Sequence, residues 1–445
     1  MLKVAKFGGT SMANAACIGK VKDIILSDEQ IRYVIVSAPG KRESNDIKIT
    51  DLLYKCFDSV KYGADVDDSF KPIKKRFDEI IRLLGLDLSL DHHYDEIRAE
   101  LRRGTTIDYI ASRGEFLSAI VTANYLGWEF LDAREIIKFD ALGRFDAELT
   151  NSLAGSILNK KSRVVIPGFY GETPDGKIKT FSRGGSDVTG AIVARAVEAD
   201  IYENWTDVDG FMKCDPRIVD QPELIDIITY KELRELSYMG ANVLHPDSIF
   251  PVRKNDIPIN IRNTFNPSAK GTFIVPTKKF VNGEYEREHS HITGVAGKKG
   301  FLVIRVEKSM MNDEIGFGRR LLNVIEDNGM RFEHIPSGID TMSIVLDSHR
   351  LSEELLNKIL GEIQSVCEPD NIHVERNLAL IAVVGHGMTK NTGTAGKIFT
   401  SLGAAGINVK MIDQGSSELN IIIAREESDY ERALQAVYEA FRRKK

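Results

Sequence analysis

Residues 1–11, MLKVAKFGGTS, decide the reading of the fold. Residues 2–7 read as a strand, which ends in Lys6-Phe7-Gly8-Gly9-Thr10-Ser11 just before Ile18, Val21, Ile24 and Ile25 recur at helical spacing. Two glycines between a strand and a helix let backbone N–H groups close on an anion at the positive helix end, while Lys6 adds a point charge. The order differs from the GxxxxGK[ST] of a P-loop, so on these residues alone a plain turn with a solvated lysine stays open.

The same alternation continues outward from this segment. Residues 33–37, 163–169, 201–205 and 257–261 read as further strands, and apolar residues spaced by three and four fill 107–121 and 188–197. This predicts an α/β fold with a buried, mainly parallel sheet. Asp175-Gly176, between Phe169-Tyr170 and residues 177–181, predicts an added antiparallel hairpin.

Composition sets the limits. The 445 residues leave room for about three domains. Hydrophobic residues at 42% and charged residues at 28% are ordinary for a chain that folds, and a net charge of −6 gives no footprint for nucleic acid or an anionic membrane. The first residues lack the succession of a signal peptide, and no run approaches the roughly 18 apolar residues of a membrane span, so the expected location is the cytoplasm. Cys17, Cys56, Cys214 and Cys367 have no ligand-like spacing and are expected as reduced thiols.

Residues 278–291, KKFVNGEYEREHSH, are too polar to pack on both faces, which places a domain boundary near residue 290 and divides the chain into 1–290 and 291–445. Beyond it lies an internal repeat with an offset of 77 residues. Residues 301–306 match 378–383, Met311 matches Met388, and Gly316, Gly329, Ile335, Gly338 and Ile344 match Gly393, Gly406, Ile412, Gly415 and Ile421. Each copy, about 291–375 and 376–445, reads as a small βαββαβ module, and two such modules should pair. A duplicated structural cap is the alternative to a ligand-binding pair.

Three more segments of the first part carry chemistry. Ser182-Arg183-Gly184-Gly185-Ser186-Asp187 again sets glycines before a helix, with Ser186 or Asp187 expected to cap it and Arg183 to grip an anion bidentately. Val188 stands where a nucleophile elbow needs glycine, which disfavours a serine hydrolase. Residues 204–210, NWTDVDG, continuing to Asp215-Pro216-Arg217, follow a strand where open α/β sheets bind ligands. Arg113-Gly114-Glu115 lies inside an apolar-faced helix, and its local reading is a solvated charge pair. In the second copy Gly385-His386-Gly387 resembles the opening of a dinucleotide motif, but Lys390 occupies the third glycine position. His289 and His291, in the polar stretch, read as solvated.

On KFGGTS (6–11), SRGGSD (182–187), TDVDGF (206–211), DPR (215–217), GANVLHP (240–246), NTFNP (263–267) and the double repeat, the chain resembles an aspartate kinase of the amino-acid kinase superfamily over essentially its whole length. The resemblance implies a three-layer catalytic sandwich followed by two ferredoxin-like ACT modules, in series or one inserted in the other. It implies transfer of the γ-phosphoryl group of MgATP to the side-chain carboxylate of L-aspartate, giving 4-phospho-L-aspartate on the way to lysine, threonine and methionine. A carboxylate with a reference pKa of about 3.9 is already ionised and needs no general base, so the burden of such a site is electrostatic.

By that resemblance Lys6, Gly8, Gly9 and Thr10 hold the phosphates, and Asp187 orients Lys6 or the metal. Arg183 clamps the α-carboxylate of aspartate and Glu115 meets its ammonium, with Ser37, Thr50, Gly184, Gly185 and Ser186 completing the pocket. Thr206, Asp207, Met212, Arg217, Asn242 and Val243 match nucleotide contacts. Asn242 stands where many relatives carry a lysine or arginine, and Lys213 is expected to supply the missing cation. No protein ligand is assigned to Mg²⁺.

In the first copy Met311, Asp313, Glu314, Gly316, Phe332, Glu333, Ser337, Gly338 and Asp340 are implied as an effector site. Their acidity favours a cationic effector such as lysine, alone or assisted by threonine. A homodimer or homotetramer through the ACT modules is implied as well. A kinase of another amino acid such as acetylglutamate or glutamate, or a silent amino-acid sensor, stay open as alternatives.

Overall fold

The strand read from the first residues, β1 (Lys3–Phe7), lies inside an eight-stranded sheet. The other strands of this part are β2 (Ile31–Val36), β3 (Glu129–Phe130), β4 (Val164–Pro167), β5 (Tyr170–Glu172), β6 (Ile178–Thr180), β7 (Ile201–Thr206), β8 (Ile227–Thr229), β9 (Ile259–Asn263) and β10 (Thr272–Val275). The sheet order is β3-β4-β2-β1-β7-β9-β10-β8, parallel throughout except for the antiparallel β9–β10 pair. β5 and β6 form the expected hairpin, with Gly176 at φ +77° in its turn. β3, β8 and β10 are absent from the sequence reading, since two to four residues show no alternation.

The computed structural model describes residues 1–182, 184–241, 244, 249–287, 291–389 and 391–442. They fall into two units. One comprises Met1–Phe211, Asp226–Tyr230 and Asn242–Glu286, the other Met212–Ile225, Lys231–Ala241 and Arg287–Lys445. Segments 212–225 and 231–241, which the sequence reading leaves on the amino-terminal side of residue 290, therefore pack with the carboxy-terminal unit. Cys214 and Val219 explain the first of these, because they are buried in one apolar cluster with Ile292, Val295, Ile381 and Leu434.

Within the first unit, side-chain alternation along β1 sends Ala5 and Phe7 into a core shared with Ile18, Val21, Ile24 and Ile25 of the helix Ala15–Ser27. Asn14 caps that helix by accepting from the Cys17 N–H at 3.0 Å. Val4 and Lys6 face the other way, towards the layer of the helix Gly185–Ala196. The period of two thus decides which layer receives the lysine.

The second unit is built on a six-stranded antiparallel sheet. Its strands are β11 (Gly294–Glu307), β12 (Phe332–His334), β13 (Thr341–Asp347), β14 (Asn371–Val384), β15 (Met411–Asp413) and β16 (Asn420–Glu426), in the order β12-β13-β11-β14-β16-β15. β11 and β14 each serve both modules. The second half of β11 and the first half of β14 join one apolar cluster, with Ile304, Leu321, Ile344, Ile359 and Ile372. Their other halves join a second cluster, with Val295, Ile381, Ile398 and Ile423. Gly300 at φ +91° and Asn377 at φ +55° mark where the strands change modules.

The repeat offset is 77 for the helices Phe317–Asp327 and Thr394–Ala404, but it becomes 79 for the third strands. Ile304 pairs Ile344, whereas Ile381 pairs Ile423 and not Ile421. A slip of two residues keeps each side chain on its face, which is why the ungapped match still aligned buried isoleucines. Among the described residues no helix is long and apolar enough to cross a membrane, and all four cysteines are free thiols.

Candidate functional site

Lys6 leaves the end of β1 on the face that carries the helix Gly185–Ala196, and its Nζ lies 2.6 Å from Asp187 Oδ1. The same Oδ1 accepts from Asn204 Nδ2 at 2.8 Å. Asn204 is the register partner of Lys6 across the parallel β1–β7 pair, so both side chains reach the same carboxylate. Sequence reasoning quoted Asn204 without giving it a role, because only strand order brings it beside Lys6. Asp187 is expected to cap its helix, to orient Lys6 or to orient the metal. Its oxygen is engaged by Lys6 and Asn204, and the cap position falls to Gly184, at φ +56° with no side-chain cap.

The glycine turn after β1 is tightly laced. Gly8 N–H donates to Trp205 O at 3.0 Å, so this amide belongs to the sheet and does not face an anion. Gly40 N–H donates to Gly9 O at 2.8 Å. A Cβ on Gly40 would come within 2.6 Å of the Gly9 carbonyl carbon, which only glycine avoids.

Two adjoining cavities open here. The smaller, of about 180 Å³, has Lys6, Ser37, Thr50, Glu115, Ser186 and Asp187 among its walls, together with Gly184 and Gly185. The larger, of about 600 Å³, shares Ser37, Thr50 and Glu115 and extends past Gly9 and Thr10 to Asp207. Residues expected for the substrate and for the phosphates, far apart in sequence, therefore line two cavities that share Ser37, Thr50 and Glu115. Arg183, Asn242 and Val243 lie outside the described residues, as do His289 and Lys390. Thr206 ends β7, its hydroxyl 3.2 Å from Asp207 Oδ1.

Glu115 corrects the local reading of its motif. Arg113 and Glu115, at 5% and 6% exposure, are buried rather than solvated. Arg113 packs its guanidinium over Tyr109, Phe116 and Tyr170 and donates to Ser112 Oγ at 2.9 Å. Glu115 Oε2 has no hydrogen-bond partner among the described residues, and burial pushes its carboxyl up to about 8, against the opposing pull of the Ala38 backbone N–H. A buried acid aimed into a cavity is a group that gains by meeting a cation.

Met212, Lys213 and Arg217 belong to the second unit. Lys213 Nζ lies 2.5 Å from Glu223, and Arg217 is held by Asp215 at 2.6 Å.

In the first module, Asp340 Oδ1 accepts from Met310 N–H at 2.9 Å, which ties the turn around Met311 and Asp313 to the loop of Ser337 and Gly338. Glu314 is shared by Lys308, at 2.7 Å, and Arg320, and Glu333 accepts from the Tyr238 hydroxyl. The neighbourhood is thus less acidic than its sequence suggests. Gly316, at φ +83°, opens the helix Phe317–Asp327, and Phe332 is half exposed.

Residues 1–263 match the amino acid kinase family, and residues 381–441 match an ACT domain. The chain is 36% identical to aspartokinase 3 of Bacillus subtilis, over 99% of this chain and 98% of that protein. Its fold matches a crystal structure of Clostridium acetobutylicum aspartate kinase with a TM-score of 0.89 at 47% identity, covering 99% of this chain and all of that one. It also matches Escherichia coli aspartokinase III in complex with lysine and aspartate, with a TM-score of 0.72 at 25% identity and 99% of this chain covered.

Proposed function

Since the chain belongs to the amino acid kinase family and, within it, to the aspartate kinases, we propose that it phosphorylates the side-chain carboxylate of L-aspartate in the cleft around Lys6 and is regulated by lysine. The product, 4-phospho-L-aspartate, leads towards lysine, threonine and methionine, and the enzyme works in the cytoplasm. The carrying observation is the Lys6–Asp187 pair at 2.6 Å in a cavity that also holds Ser37, Thr50 and Glu115.

In this reading Glu115 takes the ammonium of aspartate, and Ser37, Thr50 and Ser186 fill hydrogen bonds around it. Arg183 takes the α-carboxylate. Lys6, Gly9 and Thr10 meet the phosphates, with Thr206, Asp207, Asn242 and Val243 on the nucleotide. As a carboxylate oxygen bonds to the γ-phosphorus, the bond to the bridging oxygen breaks and its electron pair leaves with ADP. No proton has to move, so the residues serve position and charge.

Among the described residues no cluster of three or more His, Cys, Asp or Glu forms a metal cage. Asp207, a carboxylate on the wall of the larger cavity, would be a protein group to meet Mg²⁺ carried on the nucleotide. When bound, the ion neutralises phosphate charge.

Lysine as effector draws support from Asp313 and Glu333 in the first module and from the Escherichia coli relative solved with lysine. Met310, Ile315 and Ile339 are exposed on that module, Ile315 at 96%, while their repeat positions carry Gly387, Thr392 and Ser416. This apolar face supports a homodimer through the ACT modules. The test is hydroxamate formation from ATP, hydroxylamine and aspartate, repeated with lysine, threonine and methionine singly and together. Aspartyl hydroxamate, suppressed by lysine, is expected. Acceptance of glutamate in place of aspartate would overturn the substrate, and insensitivity to lysine would overturn the effector.

A further inference from the structure

A meeting of carboxylate and polyphosphate needs positive charge, and the ammonium of Lys6 already lies 2.6 Å from Asp187. The larger cavity has a wall that no motif pointed to. Residues 41–48, KRESNDIK, form a loop that brings Lys41, Arg42 and Lys48 to the same space as Gly9, Thr10 and Asp207.

That loop is pinned at its base by a buried cation. Arg76, 4% exposed, donates to Gly40 O at 2.6 Å and to Ala13 O at 3.2 Å, and pairs with Asp46 at 2.8 Å. It joins the turn after β1 to both ends of the loop. Arg42 closes on Asp46 at 2.9 Å and on Glu79 at 3.3 Å, and Arg42 with the loop's own backbone N–H groups holds the Asp46 carboxyl far below the usual carboxylate range. Lys41 Nζ reaches the Ser44 carbonyl at 3.3 Å. Lys48 remains. It is exposed, lines the cavity, and has no carboxylate partner among the described residues.

We propose that Lys48 is the second cation of the phosphoryl-transfer site, meeting the γ-phosphoryl group of a nucleoside triphosphate while Arg76 positions the loop that presents it. This rests on the aspartate-kinase reading and deepens it. It also assigns the charge missing at Asn242 to a residue of the first unit, whereas Lys213, in the second unit, is already paired with Glu223. As the terminal phosphoryl passes from ATP to the carboxylate oxygen and ADP leaves with the electron pair of the broken bond, the Nζ of Lys48 offsets the charge on its equatorial oxygens.

The experiment compares K48M and K48R with the unaltered chain in calorimetric binding of ATP and of ADP, and in turnover with aspartate. K48M is expected to weaken ATP at least about tenfold and leave ADP within about twofold, since ADP has no γ-phosphoryl group. Its kcat should fall about thirtyfold or more at an unchanged melting temperature, and K48R should recover most of the loss. Equal affinity of K48M and the unaltered chain for ATP, or equal losses for ATP and ADP, would overturn the proposal. Failure of the aspartate reading shows separately, as an unaltered chain that binds ATP but turns over no aspartate.

Discussion

Glu115 and Glu314 are the same residue in opposite settings. Glu115 is buried in the first unit with one oxygen unpartnered, and its carboxyl is pushed up to about 8. Glu314 lies on the first ACT-type module between Lys308 and Arg320, which hold its carboxyl below the ordinary range. A buried acid with an unpartnered oxygen destabilises the fold and persists where binding needs it, whereas a paired surface acid contributes little either way. Counting acids along a sequence therefore does not find the binding acid. The inventory of partners does.

Removing the cation of the cleft tests that contrast most severely. Lys6→Met is expected to lower kcat about a thousandfold in the hydroxamate assay, and a loss below about tenfold would mean that the Lys6–Asp187 pair is structural. Glu115→Gln should raise the KM for aspartate about a hundredfold with a smaller change in the KM for ATP. Equal changes in both constants would dissolve the contrast between a binding acid and a structural one.

The pH dependence follows with a definite sign. An ammonium ligand selects ionised Glu115, so the KM for aspartate should fall by up to about tenfold per unit as pH rises towards 8 and then level off. Stability runs the other way. The folded carboxyl titrates near 8 and the unfolded one near about 4.3, so the folded chain binds the extra proton between them and stability declines as pH rises through that window. The decline amounts to about 5 kcal/mol at most, and Glu115→Gln should flatten it in urea titrations at pH 5, 7 and 9.

Ile315→Ser with Ile339→Ser should shift sedimentation towards a lighter species, and an unchanged boundary would show that this exposed face is not the contact between copies. Glu314→Gln is the smallest expected effect, a melting temperature within about 1 °C of the unaltered chain. A drop of several degrees would place Glu314 among the acids the fold depends on.

The parts of the site that were legible in sequence are those tied to local geometry. Gly8-Gly9 after β1, Gly184-Gly185 before a helix and the alternation that turns Lys6 away from Phe7 are all decided within a few residues. What was hidden depended on register or on long-range packing. Asn204 meets Asp187 only because β7 lies beside β1, and the loop of Lys48 meets the glycine turn through the Gly40–Gly9 hydrogen bond and through Arg76, which ties Gly40 to Ala13. Arg113-Gly114-Glu115 was read as solvated because its charges sit on a helix whose other positions look ordinary, and nothing nearby in sequence shows that this face is covered. The two-residue slip in the repeat was invisible for the opposite reason, since a strand shifted by two presents the same face.

The exchange of β11 and β14 between modules also has a consequence for how the chain is made. Residues 294–299 leave the ribosome early yet complete the sheet of the later module, pairing with residues 379–384. They wait through the synthesis of about 80 intervening residues with their edge unprotected, which exposes the nascent protein to aggregation in that interval. A fragment cut near residue 375 keeps that waiting strand and loses its mate, so neither module is a natural unit for expression or for evolutionary transplantation.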